Sequence, residues 1–309
     1  MFNWFKKLFV LSAIALVAAC GGSDDPVAAN IVETAKADAK FSILVEAVVA
    51  ADLATTLSGP GPFTVFAPTN DAFTALLTEL GLTKAQLLAD KALLTSVLTY
   101  HVLPSKVLKA GVPAGKAITT VQGGIFKIDA VGADLVITDG RNRTARITAT
   151  DLATSNGVIH VIDKVLLPAN KNIVQTAAAT PALSILVEAV TAANLGATLS
   201  GTGPFTVFAP TNTAFAALLT ELGITKAALL ADSALLTKVL TYHVLPSRVL
   251  KADVPVGPAI TTVQGETFTV NASLVITDRR ARTSNITATD VLTSNGVVHL
   301  IDKVILPAP

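Results

Sequence analysis

Cysteine is nearly absent: Cys20 stands alone in 309 residues. No disulfide forms within such a chain, and no cysteine-based metal site is available. Histidine is almost as scarce. His101, His160, His243 and His299 are the four, and they are two positions that each occur twice, so a metal or acid–base centre would have very few parts. Charge of one sign is lacking as well, with 23 Lys and Arg against 22 Asp and Glu. That balance supplies no global field to recruit nucleic acid. Long apolar runs are missing too: Leu8 to Val17 is shorter than the roughly 20 residues a membrane span needs. What abounds is hydrophobic side chain, 51% of residues against 15% charged. The length predicts about two domains of roughly 100–200 residues, each able to bury a substantial core.

One decapeptide organises the chain. Gly61-Pro62-Phe63-Thr64-Val65-Phe66-Ala67-Pro68-Thr69-Asn70 returns unchanged from Gly203 to Asn212. Period two puts Phe63, Val65 and Ala67 on one face of a strand and Thr64 and Phe66 on the other. Pro68 removes a ladder donor, so pairing ends there or the strand lies at an edge. Thr69 or Asn70 can then cap a helix over Asp71 to Leu80, with Phe73, Leu76, Leu77 and Leu80 on one side.

The N-terminus reads as a targeting segment. Lys6 and Lys7 precede the apolar run, and Ala18 and Ala19 precede Cys20. Removing that segment leaves 21 cationic against 22 anionic residues. Leu16-Val17-Ala18-Ala19-Cys20 resembles a bacterial lipobox, in which the cysteine thiol is lipidated and becomes the mature N-terminus. Simple cleavage near Ala19 beside a chance cysteine, giving a secreted chain, is the plainer alternative. Gly21 in place of Asp after the cysteine implies, by that resemblance, an outer-membrane lipoprotein of the cell envelope. The expected division is a signal peptide over 1–19, a flexible tether over 20–29, and repeats over 30–168 and 170–307.

Within each repeat the period changes. Phe41, Leu44, Val45, Val48 and Val49 follow helical spacing, Thr83 caps a short helix with Leu87 and Leu88, and a helix from about Lys91 carries Leu94, Val97 and Leu98. Pro104 turns Leu103 away from helix. Strands are then expected at Ile118–Val121, Ile125–Ile128, Leu135–Thr138 and Ala145–Ala149, with Ser155-Asn156-Gly157 as a hairpin turn before a closing strand from Val158. Val131 to Asp134 shrinks to Ser273 in the second copy, a deletion in a surface turn. Each repeat reads as a helical half followed by an antiparallel half, the α+β class.

Three elements stand together in each repeat: Phe63 to Phe73, Tyr100-His101, and Gly157 to Pro168, answered by Phe205 to Phe215, Tyr242-His243 and Gly296 to Pro307. This set resembles the fasciclin (FAS1) domain over nearly everything from Ile31 to Pro307. The resemblance implies two tandem domains, each a wedge-like β-sandwich of about seven strands with packed helices. It also implies an extracellular adhesion or interaction role, no enzyme activity and no cofactor. Matrix, polysaccharide or a surface protein would be the partner, with the membrane reached through the lipid; an envelope or matrix scaffold without a dedicated ligand is the alternative. Thr213 departs from the pattern by replacing Asp71, losing a carboxylate worth about 0.3–1 kcal/mol at a helix N-terminus.

Tyr100, His101, Tyr242 and His243 are candidate interaction residues by resemblance, since such a pair has been linked to integrin binding in animal relatives. An integrin is not implied for a bacterial lipoprotein, and the plainer reading is a helix end tied to the sheet through buried polar tips. Arg141, Arg143 and Arg146, with Arg279, Arg280 and Arg282, are the basic concentrations. They read as contacts to an anionic glycan or lipopolysaccharide phosphate, or as a solvated turn that blocks edge pairing. Ser155, His160 and Asp163 invite a hydrolase reading. Alternation opposes it, because His160 and Asp163 would face opposite ways along a strand, and no Gly-x-Ser-x-Gly elbow is present.

Overall fold

The computed structural model describes residues 28–309. Cys20, the leader and the first part of the tether lie outside the described residues. No helix among the described residues is long and apolar enough to cross a membrane.

The first repeat runs α1 (Ile31–Lys36), α2 (Ser42–Ala50), α3 (Ala54–Ser58), β1 (Phe63–Pro68), α4 (Asn70–Leu80), α5 (Lys84–Ala89), α6 (Lys91–Tyr100) and β2 (Val102–Leu103). It continues through β3 (Ala117–Thr119), β4 (Ile125–Val131), β5 (Asp134–Thr138), β6 (Thr144–Thr154) and β7 (Gly157–Ile162). The second repeats this order. Its helices are α7 (Ile173–Ala178), α8 (Ser184–Ala192), α9 (Gly196–Ser200), α10 (Asn212–Leu222), α11 (Lys226–Ala231) and α12 (Ser233–Tyr242). Its strands are β8 (Phe205–Pro210), β9 (Val244–Leu245), β10 (Ala259–Thr261), β11 (Thr267–Val270), β12 (Val275–Thr277), β13 (Thr283–Thr293) and β14 (Gly296–Ile301).

Each repeat builds its own seven-stranded sheet, in the order β2-β1-β7-β6-β5-β4-β3 and its copy. The sheet turns on β6, whose first residues pair with β5 and whose later ones pair with β7. Two register shifts, on either side of Ala149, accompany the turn, and Asp151 within the second has φ of 61°. Bulges of this kind bend a strand and sharpen its twist. The two halves of the sheet therefore face each other, and Phe66 and Ile162 from one half pack with Ile118, Phe126, Ile128 and Ile137 from the other. Val65, Ala67, Ile159 and Val161, on the opposite face of β1 and β7, pack under the helices with Phe41, Leu44, Phe73 and Leu94. The alternation expected of the decapeptide thus divides two cores. The class is α+β, a sandwich with helices along one side.

Some expectations need correction. The strand half is not wholly antiparallel, because β7 runs parallel to β1, from Phe63 beside Gly157 to Pro68 beside Ile162. The long intervening chain supplies the crossover that parallel pairing requires. Pro68 does end the ladder, but β1 is an inner strand, between β2 and β7. Val49, expected on the apolar stripe of α2, instead faces solvent, while Leu44 and Val48 are buried. Val121, expected in a strand, lies in the turn after β3 and is exposed.

Helix ends follow local chemistry. The Thr69 hydroxyl accepts from Ala72 N at 3.3 Å, and Gly81 closes α4 at φ of 64°. Thr83 caps α5 and closes a box with Gln86. Thr213 in place of Asp71 leaves α10 the same length as α4.

Candidate functional site

The Tyr-His pairs end α6 and α12. Tyr100 is fully buried, edge-on to Phe126 with ring centroids 5.9 Å apart, and its hydroxyl donates to the Ile125 carbonyl. Tyr242 repeats this, donating to the Thr267 carbonyl at 2.8 Å. Burial, with the charge of Asp139 nearby, pushes the Tyr100 phenol up, and burial raises Tyr242 to about 12. His101 accepts at Nε2 from Leu166 N at 2.9 Å, so its proton resides on Nδ1, which donates to the Val97 carbonyl at 2.7 Å. His243 makes the same pair of bonds, to Ile305 N and the Val239 carbonyl. Burial lowers both imidazoles to about 4. All four side chains point inward: the histidines tie each helix end to the chain after the closing strand, and the tyrosines tie it to the starts of β4 and β11. None offers its polar atoms to a surface partner.

His160 is equally committed. It packs beside Phe66, its register partner on β1, accepts from Asp151 N at Nδ1 and donates from Nε2 to the Val107 carbonyl at 2.9 Å. Asp163 lies beyond the strand, exposed, and accepts from Arg146 N at 2.7 Å; Ser155 is exposed on the hairpin. The three do not form a relay. Among the described residues, no cluster of three or more His, Cys, Asp and Glu is placed to hold a metal.

The arginines divide by role. Arg143 is held by the buried Asp139 at 2.9 Å, by Glu79 at 2.6 Å and by the Val165 carbonyl at 2.6 Å. Arg282 reaches Glu221 at 2.8 Å and the Val304 carbonyl at 3.2 Å in the same way, but stands farther from Asp278, at 3.8 Å. Arg146 is exposed and pairs loosely with Asp134 at 3.4 Å, and Arg279 lies 3.7 Å from Glu266. Arg280 donates Nε to the Pro307 carbonyl at 2.9 Å. Its counterpart Arg141 has no ion pair among the described residues, and its buried Nε has no hydrogen-bond partner.

Two residues carry more of the structure than their sequence setting suggests. Asp139 accepts from the Arg141 and Arg143 backbone N–H groups, from Arg143 Nε and Nη2, and from Leu167 N. Its signal is its place two and four residues before arginines in a turn. Asn156, legible as a turn residue, also accepts from Ile31 N and donates to the Leu57 and Gly59 carbonyls. It joins α1, α3 and the hairpin at one point.

The repeats also touch each other. Lys127 of β4 meets Asp290 of β13 at 2.9 Å, and both side chains are largely buried. Burial opposes the ammonium form, but the carboxylates of Asp290 and Asp129 outweigh it and hold the Lys127 pKa above its ordinary value. Asn142 accepts from Leu292 N at 2.7 Å and donates to the Leu292 carbonyl at 3.0 Å. Ile125 packs with Leu250, Leu292 and Val297. Beside this contact runs a groove of about 390 Å³ lined by residues of both repeats.

The fold and its motif side chains together define a class of doubled α+β sandwich in which those side chains serve architecture. The fasciclin domain family model matches residues 39–168 and 181–307, and the chain belongs to that family. Members of the family are non-enzymatic adhesion proteins. The chain is 31% identical over 255 residues to the transforming growth factor-beta-induced protein ig-h3 of Sus scrofa, covering 81% of this chain and 35% of that protein. It is 45% identical over 145 residues to protein sll1483 of Synechocystis, covering 46% of this chain and 74% of that one. Human periostin is 34% identical over 147 residues, covering 47% of this chain and 17% of periostin. The chain thus spans only about a third of the ig-h3 length. Among solved structures, a FAS1 domain pair from the insect cell adhesion molecule fasciclin I matches with a TM-score of 0.44 and 19% identity, covering 86% of this chain and 95% of that one.

Proposed function

We propose that this chain is an adhesion or surface-interaction protein of the bacterial envelope, anchored through a lipid on Cys20, whose repeats over 30–168 and 170–307 act as two modules toward matrix, polysaccharide or a surface protein. The observation that carries this reading is the commitment of every histidine, both tyrosines and three of the six clustered arginines to internal bonds with backbone carbonyls. Recognition then belongs to exposed surface and to the contact between repeats. Two modules on one anchor favour avidity, since a weak contact made twice gains about 10²–10⁴ when both sites engage.

The buried Lys127–Asp290 pair favours a second reading, a scaffold in which fixed spacing is itself the function. One experiment separates them. Intact cells carrying the wild-type chain or Cys20→Ser are probed by surface protease and by adhesion to a polysaccharide-coated surface. Adhesion expects surface exposure, attachment above that of cells lacking the chain, and loss of both with Cys20→Ser. Exposure without attachment leaves the scaffold reading.

A further inference from the structure

We propose that the groove between the repeats binds an acidic saccharide, through Arg141 and Lys171 for the acid group and Asn170, Thr176 and Thr180 for sugar hydroxyls. This deepens the adhesion reading and rests on it. The groove is shared by the turn after β5, the linker between repeats, α7 and its following turn, and Val291 of β13. Its volume of about 390 Å³ falls within the roughly 300–1,000 Å³ of small-ligand sites. Its lining contains two cations, amides, hydroxyls and apolar surface from Ala179 and Val291, and no carboxylate. Asp139, the acid nearest in sequence, is neutralised by Arg143.

Arg141 gives the sharper observation. The corresponding Arg280 satisfies its Nε on the Pro307 carbonyl, whereas the Arg141 Nε is out of solvent and unpartnered. The Nε itself is closed to a ligand, but the terminal Arg141 nitrogens make no hydrogen bond or ion pair among the described residues, and a carboxylate or sulfate oxygen in the groove is an acceptor for them. Arginine's planar fork suits either acid.

The repeats differ at this lining. Asn170, Lys171 and Thr180 stand where the first repeat has Ala28, Ala29 and Asp38. A cation and an amide are gained and a carboxylate is lost. Lys36 and Lys40 become Ala178 and Ala182, but neither of those positions lines the groove.

The test is calorimetric titration of the full chain with a galacturonate tetrasaccharide and a heparin tetrasaccharide, with maltotetraose as the neutral control. Binding of either acidic probe, weakened by salt and absent with maltotetraose, is the expected result; which probe binds distinguishes carboxylate from sulfate as the acid. Arg141→Gln with Lys171→Ala, and separately Thr180→Asp, should each weaken binding at least tenfold. The changed positions are exposed at Lys171 and partly exposed at Arg141 and Thr180, and circular dichroism checks that both variants fold. Wild-type binding to neither acidic probe, or unchanged affinity in both variants, overturns the proposal. Failure here with cell attachment intact leaves the adhesion reading standing. Binding in the groove by a chain that confers no attachment removes the adhesion reading alone.

Discussion

At the scale of single residues, buried neutral histidine makes stability depend on acid. His101 and His243 have native pKa values near 4, lowered first by burial, against about 6.5 in the unfolded chain. Between those values the unfolded state binds more protons, so stability is fully present above pH 6.5 and falls as the pH drops toward 4. Each histidine contributes on the order of 3 kcal/mol to that loss. Urea denaturation at pH 7 and pH 4.5 checks it, and a pH-independent midpoint would contradict it. Protonation also removes the lone pair that holds Leu166 N or Ile305 N. Asp139 acts by charge instead. Asp139→Asn should cost about 3–5 kcal/mol by leaving Arg143 without its buried partner. Combining it with Arg143→Gln should recover part of that loss in a double-mutant cycle.

At the scale of elements, the parallel seam between β1 and β7 depends on Gly157. A Cβ there would lie 2.1 Å from the Phe63 carbonyl oxygen and 3.0 Å from Ile31 Cδ1, and Gly296 faces the same contacts from Phe205 and Ile173. Gly157→Ala should therefore destabilise the first repeat by about 1–3 kcal/mol or more, read as a lowered denaturation midpoint. The seam also shows where sequence reading stops. Alternation in Phe63 to Ala67 predicts which side chains enter which core, and the caps at Thr69 and Thr83 are legible because capping is local. Pairing β1 with a strand about 90 residues later is not local, and no periodicity records it. Val49 departs from its expected place because helical spacing fixes a stripe but not its width. At the sites, the arginine clusters are visible as composition, but their separation into anchored Arg143 and unpaired Arg141 depends on Asp139 and on the chain beyond the closing strand.

At the scale of the whole molecule, the repeats differ where they meet. Lys127, Ile125 and Asn142 correspond to Thr269, Thr267 and Ala281, while Leu292 corresponds to Ala153. Asn142 and Ala281 both have positive φ, near 60°, a conformation asparagine tolerates better than alanine. Asn142 also supplies the two amide bonds to Leu292. Lys127→Thr, which installs the residue of the second repeat, should cost about 3 kcal/mol because Asp290 would stay buried without its cation. Loosened coupling between the repeats would appear as two separate unfolding transitions in calorimetry, in place of a more nearly single one. The joining surfaces are unlike one another, so the same contact made between molecules would run head to tail, into a ring or an open filament. The outward ends carry the wrong halves: exposed Leu108 and Ala153 at one, threonines and Ala281 at the other. A further molecule arriving end-on would find neither the lysine for its aspartate nor the amide for its strand, so growth into a fibre stops at the pair.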